Sequence, residues 1–314
     1  MSTYRKLQVV ENSDDFENAI EIIEAPLRSP EPDEVLIKCI YVVVTECDLM
    51  AIKGFSKHAS LNSRPTFFEF EIPCNIGFEL TDPKKLFVIP ELKPDYFWLV
   101  KAGLTAAIAL EEVGHIKENQ NVLITCAAGI VETIAVQWAK LKGCNVIGTC
   151  SSVEQSELLE TLNCDRIINE TIESIEDVLY DEFSEGVDVI WDSIGGDITN
   201  MLWHHLTKAG RLITFDGISD QYRRTSLICH DSCAEDQCKM IFSFSLHRHS
   251  RKFDRYFEKI LSHYNEENLK ILIDQGENEE EGEFIGLEGI QRALKVSQFS
   301  QLSSVTFLLL AFDN

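Results

Sequence analysis

Basic residues are scarce in this chain of 314 residues. Its 28 Lys and Arg face 52 Asp and Glu, which gives a formal net charge of −24 at pH 7. A surface of that sign repels phosphate backbones and anionic lipid, so we expect no nucleic-acid partner and no membrane partner. Hydrophobic residues make up 45% of the chain. That share is ordinary for a folded domain and excludes disorder along the whole chain.

Long apolar runs and a disulfide framework are also missing. The longest apolar stretches, 106–110 and 307–312, are far shorter than the roughly 18 residues that span a bilayer. Acidic sequence follows the first residues, so we expect no secretory signal. The ten cysteines have no framework spacing and are expected as reduced thiols. Together these absences predict a cytoplasmic protein.

Strand and helix signals alternate from about residue 96 onwards. Helical segments separate strand-type runs at 121–126, 145–149, 187–191 and 211–215. Alternation at this spacing is typical of a doubly wound parallel sheet of the Rossmann type, and it predicts the α/β class.

The segments on either side of the predicted sheet lack this regular alternation of strand and helix signals. Residues 1–95 are rich in proline and strand signals, with one strand-type run over 34–44. Mixed signals follow the sheet, including a strand predicted at 269–273. We therefore predict a sheet domain at 96–262, flanked by two parts of a second domain at 1–95 and 263–314.

Several segments together resemble the medium-chain dehydrogenase/reductase superfamily, on its zinc-free quinone and enone reductase branch. The resemblance is carried by AGLTAAIALEEV at 102–113, VIGTCSS at 146–152, NCDRIIN at 163–169 and EFIGLEGIQRA at 283–293. It implies a dinucleotide-binding sheet inserted in a β-rich, GroES-like catalytic domain built from both chain ends. It also implies NADPH-dependent reduction of an enone, a 15-oxo-prostaglandin-like lipid or a quinone, and a homodimer.

Two departures from the family pattern concern the catalytic domain. Several dozen family residues are absent after Glu79, so the domain is shortened. Zinc-dependent relatives place a Cys and a His where this chain has Thr45 and Phe78. The cysteines at 229, 233 and 238 fit no common structural zinc motif. We expect no metal.

Glycine is scarce at the turn where the phosphates of a dinucleotide would lie. The family reads Ala-Ala-Gly-Gly-Thr-Gly there, and this chain reads AAGIVE at 127–132, which leaves Ala128 and Gly129 as candidate phosphate contacts. Ile130 is β-branched and disfavours a positive φ. Glu132 is either a favourable acid at a helix start or a substitute for the phosphate, and the two interpretations agree.

Small hydroxyl side chains follow the second strand of the sheet. Ser151 and Ser152 suit the 2′-phosphate of NADP, which matches the family's preference, and Asn169 ends the next strand. The family's lysine after the second strand is replaced by Gln155. From 153 to 188 there are twelve acidic residues and one arginine, a field that opposes an anionic cofactor.

The remaining candidates come from the resemblance alone. Thr45 occupies the position of an Asn near the nicotinamide and is the catalytic candidate, while Gly217, Phe244 and Leu246 correspond to the nicotinamide pocket. The sequence leaves two functions open. One is an NADP-dependent reductase of a small carbonyl or quinone substrate. The alternative is a cofactor-poor pseudoenzyme of the same family that serves as a binding or scaffold protein.

Overall fold

The computed structural model describes residues 3–13, 19–38, 41–44, 52, 78–81, 88–91, 93–215, 238–272, 282–299 and 307–310. The chain forms two compact units. One comprises Phe97–Ile271, and the other combines Met1–Tyr96 with Leu272–Asn314. The first unit is therefore inserted between two chain segments of the second.

Antiparallel strand pairs make up the unit formed by both chain ends. Strand β1 (Thr3–Val9) pairs with β2 (Ile20–Pro26), β3 (Val35–Lys38) with β5 (Phe78–Thr81), and β4 (Tyr41–Val44) with β12 (Phe307–Leu310). Helix α7 (Gly286–Phe299) precedes β12. The run at 34–44, predicted as one strand, is two strands with different partners, and a local pattern cannot reveal such a division.

Six parallel strands form the sheet of the Phe97–Ile271 unit. They are β6 (Asn121–Ile124), β7 (Asn145–Cys150), β8 (Arg166–Asn169), β9 (Val187–Asp192), β10 (Leu206–Phe215) and β11 (Met240–Phe244). Their order across the sheet is β11-β10-β9-β6-β7-β8. The α/β class and the parallel, doubly wound sheet predicted from the sequence are confirmed.

Helices connect the strands and cover the sheet. A helical segment, α1, spans residues 94–113 and alternates α-helical turns with π-helical turns at Leu99–Gly103 and Ala109–Val113. Helices α2 (Ile130–Leu141), α3 (Val153–Thr161), α4 (Ile175–Glu182), α5 (Asp197–His204) and α6 (Phe253–Asn265) follow. A 3-10 helix at Leu246–Lys252 precedes α6.

The strands at the centre of the sheet are apolar because both of their faces are covered. Val122, Leu123 and Ile124 of β6 are fully buried, and so are Ile190 and Trp191 of β9. Continuous apolar runs of this kind are typical of parallel strands that lie between two helical layers. Seven consecutive residues of α2, 133–139, are also buried, so this helix is enclosed on all sides.

The strand predicted at 269–273 is absent from its described part, 269–272. The amide of Gln137 on α2 takes the place of a partner strand. Its Nε2 donates to the carbonyl of Lys270 at 3.0 Å, and its Oε1 accepts the Lys270 N–H at 2.7 Å. The compact unit ends at Ile271, whereas the boundary that the sequence suggested, at 262, falls within α6.

Candidate functional site

The strand order reverses between β6 and β9. In open parallel sheets, ligands bind in the crevice outside the carboxyl ends of the strands at such a switch point, and we refer to this place as the crevice. Thr125 and Ser193 tie its two sides together. The Thr125 hydroxyl donates to the carbonyl of Trp191 at 3.3 Å and accepts the Ser193 N–H at 2.8 Å. The crevice is the candidate cofactor site.

The turn between β6 and α2 borders this crevice. The N–H of Ala127 donates to the Thr149 carbonyl at 2.8 Å, and the N–H of Gly129 donates to the Cys126 carbonyl at 2.8 Å. Positive φ occurs at Cys126, 48°, whereas Gly129 has a φ of −65°. Ile130 is already the first residue of α2, so its disfavour for a positive φ has no cost at this position.

Close approach, not backbone freedom, explains the glycine at 129. A Cβ there would lie 3.2 Å from the Cys126 carbonyl oxygen and would collide with Oε2 of Glu132. The Glu132 carboxylate thus lies directly over Gly129. Gly129 is the N-cap residue of α2 and provides no capping side chain.

Glu132 bridges the crevice. Its Oε1 accepts a hydrogen bond from the Ser193 hydroxyl at 2.5 Å and one from Trp191 Nε1 at 3.2 Å. Part of the residue reaches the surface, but the carboxyl group is enclosed by protein. Burial raises the pKa of Glu132, and hydrogen bonds from Ser193, its own N–H and Trp191 offset this only in part. The side chain therefore spans the space between α2 and the end of β9.

The two serines after β7 are committed to a local cap. Ser152 is the N-cap residue of α3 and accepts the Gln155 N–H at 3.2 Å. Ser151 donates its N–H and its hydroxyl to Gln155 Oε1, at 2.9 and 3.2 Å. A hydrogen bond from Ser152 also lowers the pKa of Glu154, after the larger effect of Glu154's own N–H. Gln155, which replaces the family's lysine, therefore organises this loop.

Asn169 at the end of β8 is buried and bonded. Its Oδ1 accepts the N–H and the hydroxyl of Thr171, at 3.1 and 2.7 Å, and its Nδ2 donates to Ser156 at 3.3 Å. These bonds hold the loop after β8 against the start of α3. Asn169 is thus positioned at the same edge of the sheet as Ser151 and Ser152.

Aromatic rings line the other half of this edge. The ring centroid of Phe215, at the end of β10, lies 4.2 Å from that of Trp191 and 5.7 Å from that of Phe244. Phe244 also stacks against His249 at 5.1 Å. Phe244 and Leu246 are both buried. Of the other candidates, Thr45 and Gly217 lie outside the described residues.

Sequence reasoning missed Trp191, Ser193 and His247 as groups at this edge. The hydroxyl of Ser245 and Nδ1 of His247 are 2.7 Å apart. Ser193 and His247 follow strands β9 and β11, and position after a strand is the signal that could have identified them.

Comparisons with known proteins agree with this architecture. The model of the family described as zinc-binding dehydrogenase matches residues 131–230. Mouse (Mus musculus) prostaglandin reductase-3 is 35% identical over 212 residues, 66% of this chain. A Leishmania amazonensis protein named "Probable quinone oxidoreductase" is 29% identical over 311 residues, which cover 87% of this chain and 90% of that protein. These matches support the assignment to the medium-chain dehydrogenase/reductase superfamily, on its zinc-free quinone and enone reductase branch, that the sequence predicted.

The extent of these matches differs between relatives. The chain spans 56% of the length of the mouse prostaglandin reductase-3. The structure of Escherichia coli quinone oxidoreductase complexed with NADPH superposes with a TM-score of 0.73 at 17% identity, covering 98% of this chain and 100% of that one. That likeness shows the shared fold. The pseudoenzyme alternative gains no support from these relatives, which are named for reductase or oxidoreductase activity.

The name of the matched family raises the question of zinc. The match at 131–230 lies in the sheet unit and does not include Thr45 or Phe78. Among the described residues, no group of three or more His, Cys, Asp or Glu could hold a metal ion. Within that same part of the chain, no helix has the length and apolar character needed to cross a bilayer.

Proposed function

We propose that this chain is an NADP(H)-dependent oxidoreductase that reduces a small carbonyl or quinone substrate. The observation that carries the proposal is the crevice at the switch point between β6 and β9, where helix α2 begins. A helix N-terminus at this point favours a pyrophosphate, because its N–H groups and dipole attract negative charge. The reductase names of the relatives support the same function.

Candidate contacts for the two halves of the cofactor lie around the crevice. Ser151, Ser152 and Asn169 lie at the ends of β7 and β8, where the ribose of the adenosine half is expected about twenty residues after the phosphate turn. An enzyme that prefers NADH has a carboxylate here, which binds the 2′-hydroxyl of the ribose. Ser151 and Ser152 stand at this place instead, and this favours NADPH. Ala128 and Gly129 would contact the pyrophosphate. The Glu132 carboxylate over Gly129 does not fit a pyrophosphate at this place.

The ring of Phe215, which is partly exposed and packs on buried Trp191 and Phe244, then serves the nicotinamide half and the substrate. Flat apolar rings pack well against aromatic faces, and this favours a quinone, an enone or a 15-oxo-prostaglandin-like lipid. NADPH, when bound, supplies the hydride. The chain's own residues orient the reactants and exclude water from the buried side of the crevice.

A fluorescence titration tests cofactor binding. All four tryptophans lie in the Phe97–Ile271 unit, and Trp191 borders the crevice. We expect saturable quenching by NADPH at micromolar concentration and weaker quenching by NADH. Ser151→Ala should weaken NADPH binding by about tenfold, which is the loss of one hydrogen bond to a charged group. NADH binding should stay within about twofold.

A turnover assay completes the test. Oxidation of NADPH should be followed with an enone, a 15-oxo lipid and a quinone, and at least one class should be reduced. Absence of quenching at millimolar NADPH, with no turnover, would overturn the proposal in favour of a scaffold role. The homodimer and the cytoplasmic location remain predictions.

A further inference from the structure

We propose that Glu132 is an intramolecular occupant of the phosphate site, which closes the crevice in the cofactor-free chain and weakens dinucleotide binding until it is displaced. This inference deepens the proposed function and rests on it for the identity of the competing ligand. It concerns regulation of the same crevice by one of the chain's own side chains.

The first argument is the position of the carboxylate. It lies over the face of Gly129 that the missing Cβ leaves open. That face is where the backbone of such a turn approaches a pyrophosphate. The Glu132 carboxyl group and a pyrophosphate cannot share it, because each would need the same space and the same N–H groups.

The second argument is that the carboxylate has partners on both sides of the switch point. Within α2 it accepts its own N–H. Across the crevice it accepts Ser193 Oγ at 2.5 Å and Trp191 Nε1 at 3.2 Å. Ser193 is 61 residues away in the sequence. A helix-start acid that served only the helix dipole would need no bonds to β9, so the contacts indicate a closed crevice.

The third argument is that the turn itself is otherwise suited to a ligand. Its positive φ is at Cys126 and not at Ile130, so loss of the later glycines does not distort the backbone. Hydrogen bonds to Thr149 and Cys126 hold Ala127 and Gly129 in place without Glu132. Removing the carboxylate should therefore leave a competent turn, and Ile130 need not be changed.

The experiment compares three proteins of full length: wild type, Glu132→Ala and Glu132→Gln. Inorganic pyrophosphate and NADPH are titrated separately at one salt concentration. We expect Glu132→Ala to bind each of them at least about tenfold more tightly than wild type, since charge and bulk are both removed. Glu132→Gln removes the charge and keeps the bulk, so its gain should be smaller.

Glu157→Gln provides the matched control, because Glu157 is an exposed acid on α3 outside the crevice. Its affinities for both ligands should stay within about twofold of wild type. A circular dichroism spectrum and an unfolding curve establish that Glu132→Ala is folded before its affinities are compared.

The two proposals fail in different ways. Equal or weaker pyrophosphate binding by Glu132→Ala, including no binding by either protein, overturns the role of Glu132. Tighter pyrophosphate binding by Glu132→Ala without NADPH binding by any variant supports that role and overturns the proposed function. Emission from Trp191 in the cofactor-free protein is a further readout. It should change in Glu132→Ala because the indole N–H loses one of its two acceptors and keeps only Ser193 Oγ, at 2.9 Å, and an unchanged spectrum contradicts the closed crevice.

Discussion

Glu111 joins three helices of the sheet unit, and its replacement by Gln should be costly. Its Oε1 accepts Lys142 Nζ at 2.8 Å and Trp138 Nε1 at 3.2 Å. Its Oε2 accepts Lys259 Nζ at 2.9 Å and the Tyr256 hydroxyl at 3.1 Å. The carboxylate therefore connects the end of α1 with the end of α2 and the first half of α6.

The magnitude follows from burial and charge. The Glu111 side chain is 17% exposed, whereas the side chains of Lys142 and Lys259 are 34% and 35% exposed. Breaking a fully buried ion pair costs about 3–5 kcal/mol. Here the lysines can turn to water and Gln retains one acceptor, so we expect Glu111→Gln to lose about 2 kcal/mol of unfolding free energy.

The dependence on pH tests the same interaction. Burial acts to raise the pKa of Glu111, but hydrogen bonds with Lys142 and Lys259 outweigh it and the pKa is lowered from 4.5. A lowered pKa in the folded state means that the stabilisation is present above pH 4.5. It is lost as the pH falls through the folded value. The difference between wild type and Glu111→Gln should shrink accordingly in acid.

Urea unfolding followed by tryptophan fluorescence is the assay, because every tryptophan lies in this unit. Glu157→Gln removes the same charge at an exposed position and should change the unfolding free energy by less than about 0.5 kcal/mol. If Glu111→Gln is as stable as that control at neutral pH, the lysine contacts contribute nothing and the reasoning fails.

Further predictions concern packing, capping, thiols and metal. Gly148→Ala should cost about 1–3 kcal/mol of unfolding free energy. The reason is that a Cβ at this position would lie 2.9 Å from the Cβ of Ala127 and 3.0 Å from Cys164 Sγ. A loss below about 0.5 kcal/mol in urea unfolding would contradict this prediction. Ser152→Ala removes the cap of α3 and should cost about 1 kcal/mol, whereas Ser152→Asp should preserve most of it. A thiol reagent at neutral pH should modify exposed Cys126 before Cys164, since burial raises the pKa of Cys164 to about 12. Peptide mapping that finds Cys164 modified first would refute this order. Elemental analysis should find no stoichiometric zinc, and one tightly held ion per chain would refute that prediction.

Part of this architecture can be predicted from short stretches of sequence. Apolar runs separated by helical segments predict parallel strands because a strand buried on both faces must be apolar along its whole length. The runs at 121–126 and 187–191 predicted β6 and β9 in this way. The order of these strands in the sheet was not predicted from such runs, since neighbours in the sheet are not neighbours in the chain.

Local patterns fail where a distant side chain provides the partner. The apolar segment at 269–273 looks like a strand, yet Gln137 satisfies the backbone of Lys270 from a helix 133 residues away. A nearby side chain can have the same effect. Ser151 and Ser152 suit a phosphate by residue type, but Gln155, four and three residues along the chain, already forms hydrogen bonds with both. In each case hydrogen-bonding capacity is visible in the sequence, and the partner is not.

Sequence by itself determined the α/β class, the family and the presence of an acid in place of glycine at position 132. Each of these depends on residue type and spacing along the chain. Only the tertiary structure decided what that acid does, because the role of a carboxylate depends on the groups within hydrogen-bonding distance of it. Folding brings Trp191 and Ser193 to Glu132 across the switch point of the sheet. The same residue would be an ordinary helix-start acid if β9 were not next to β6.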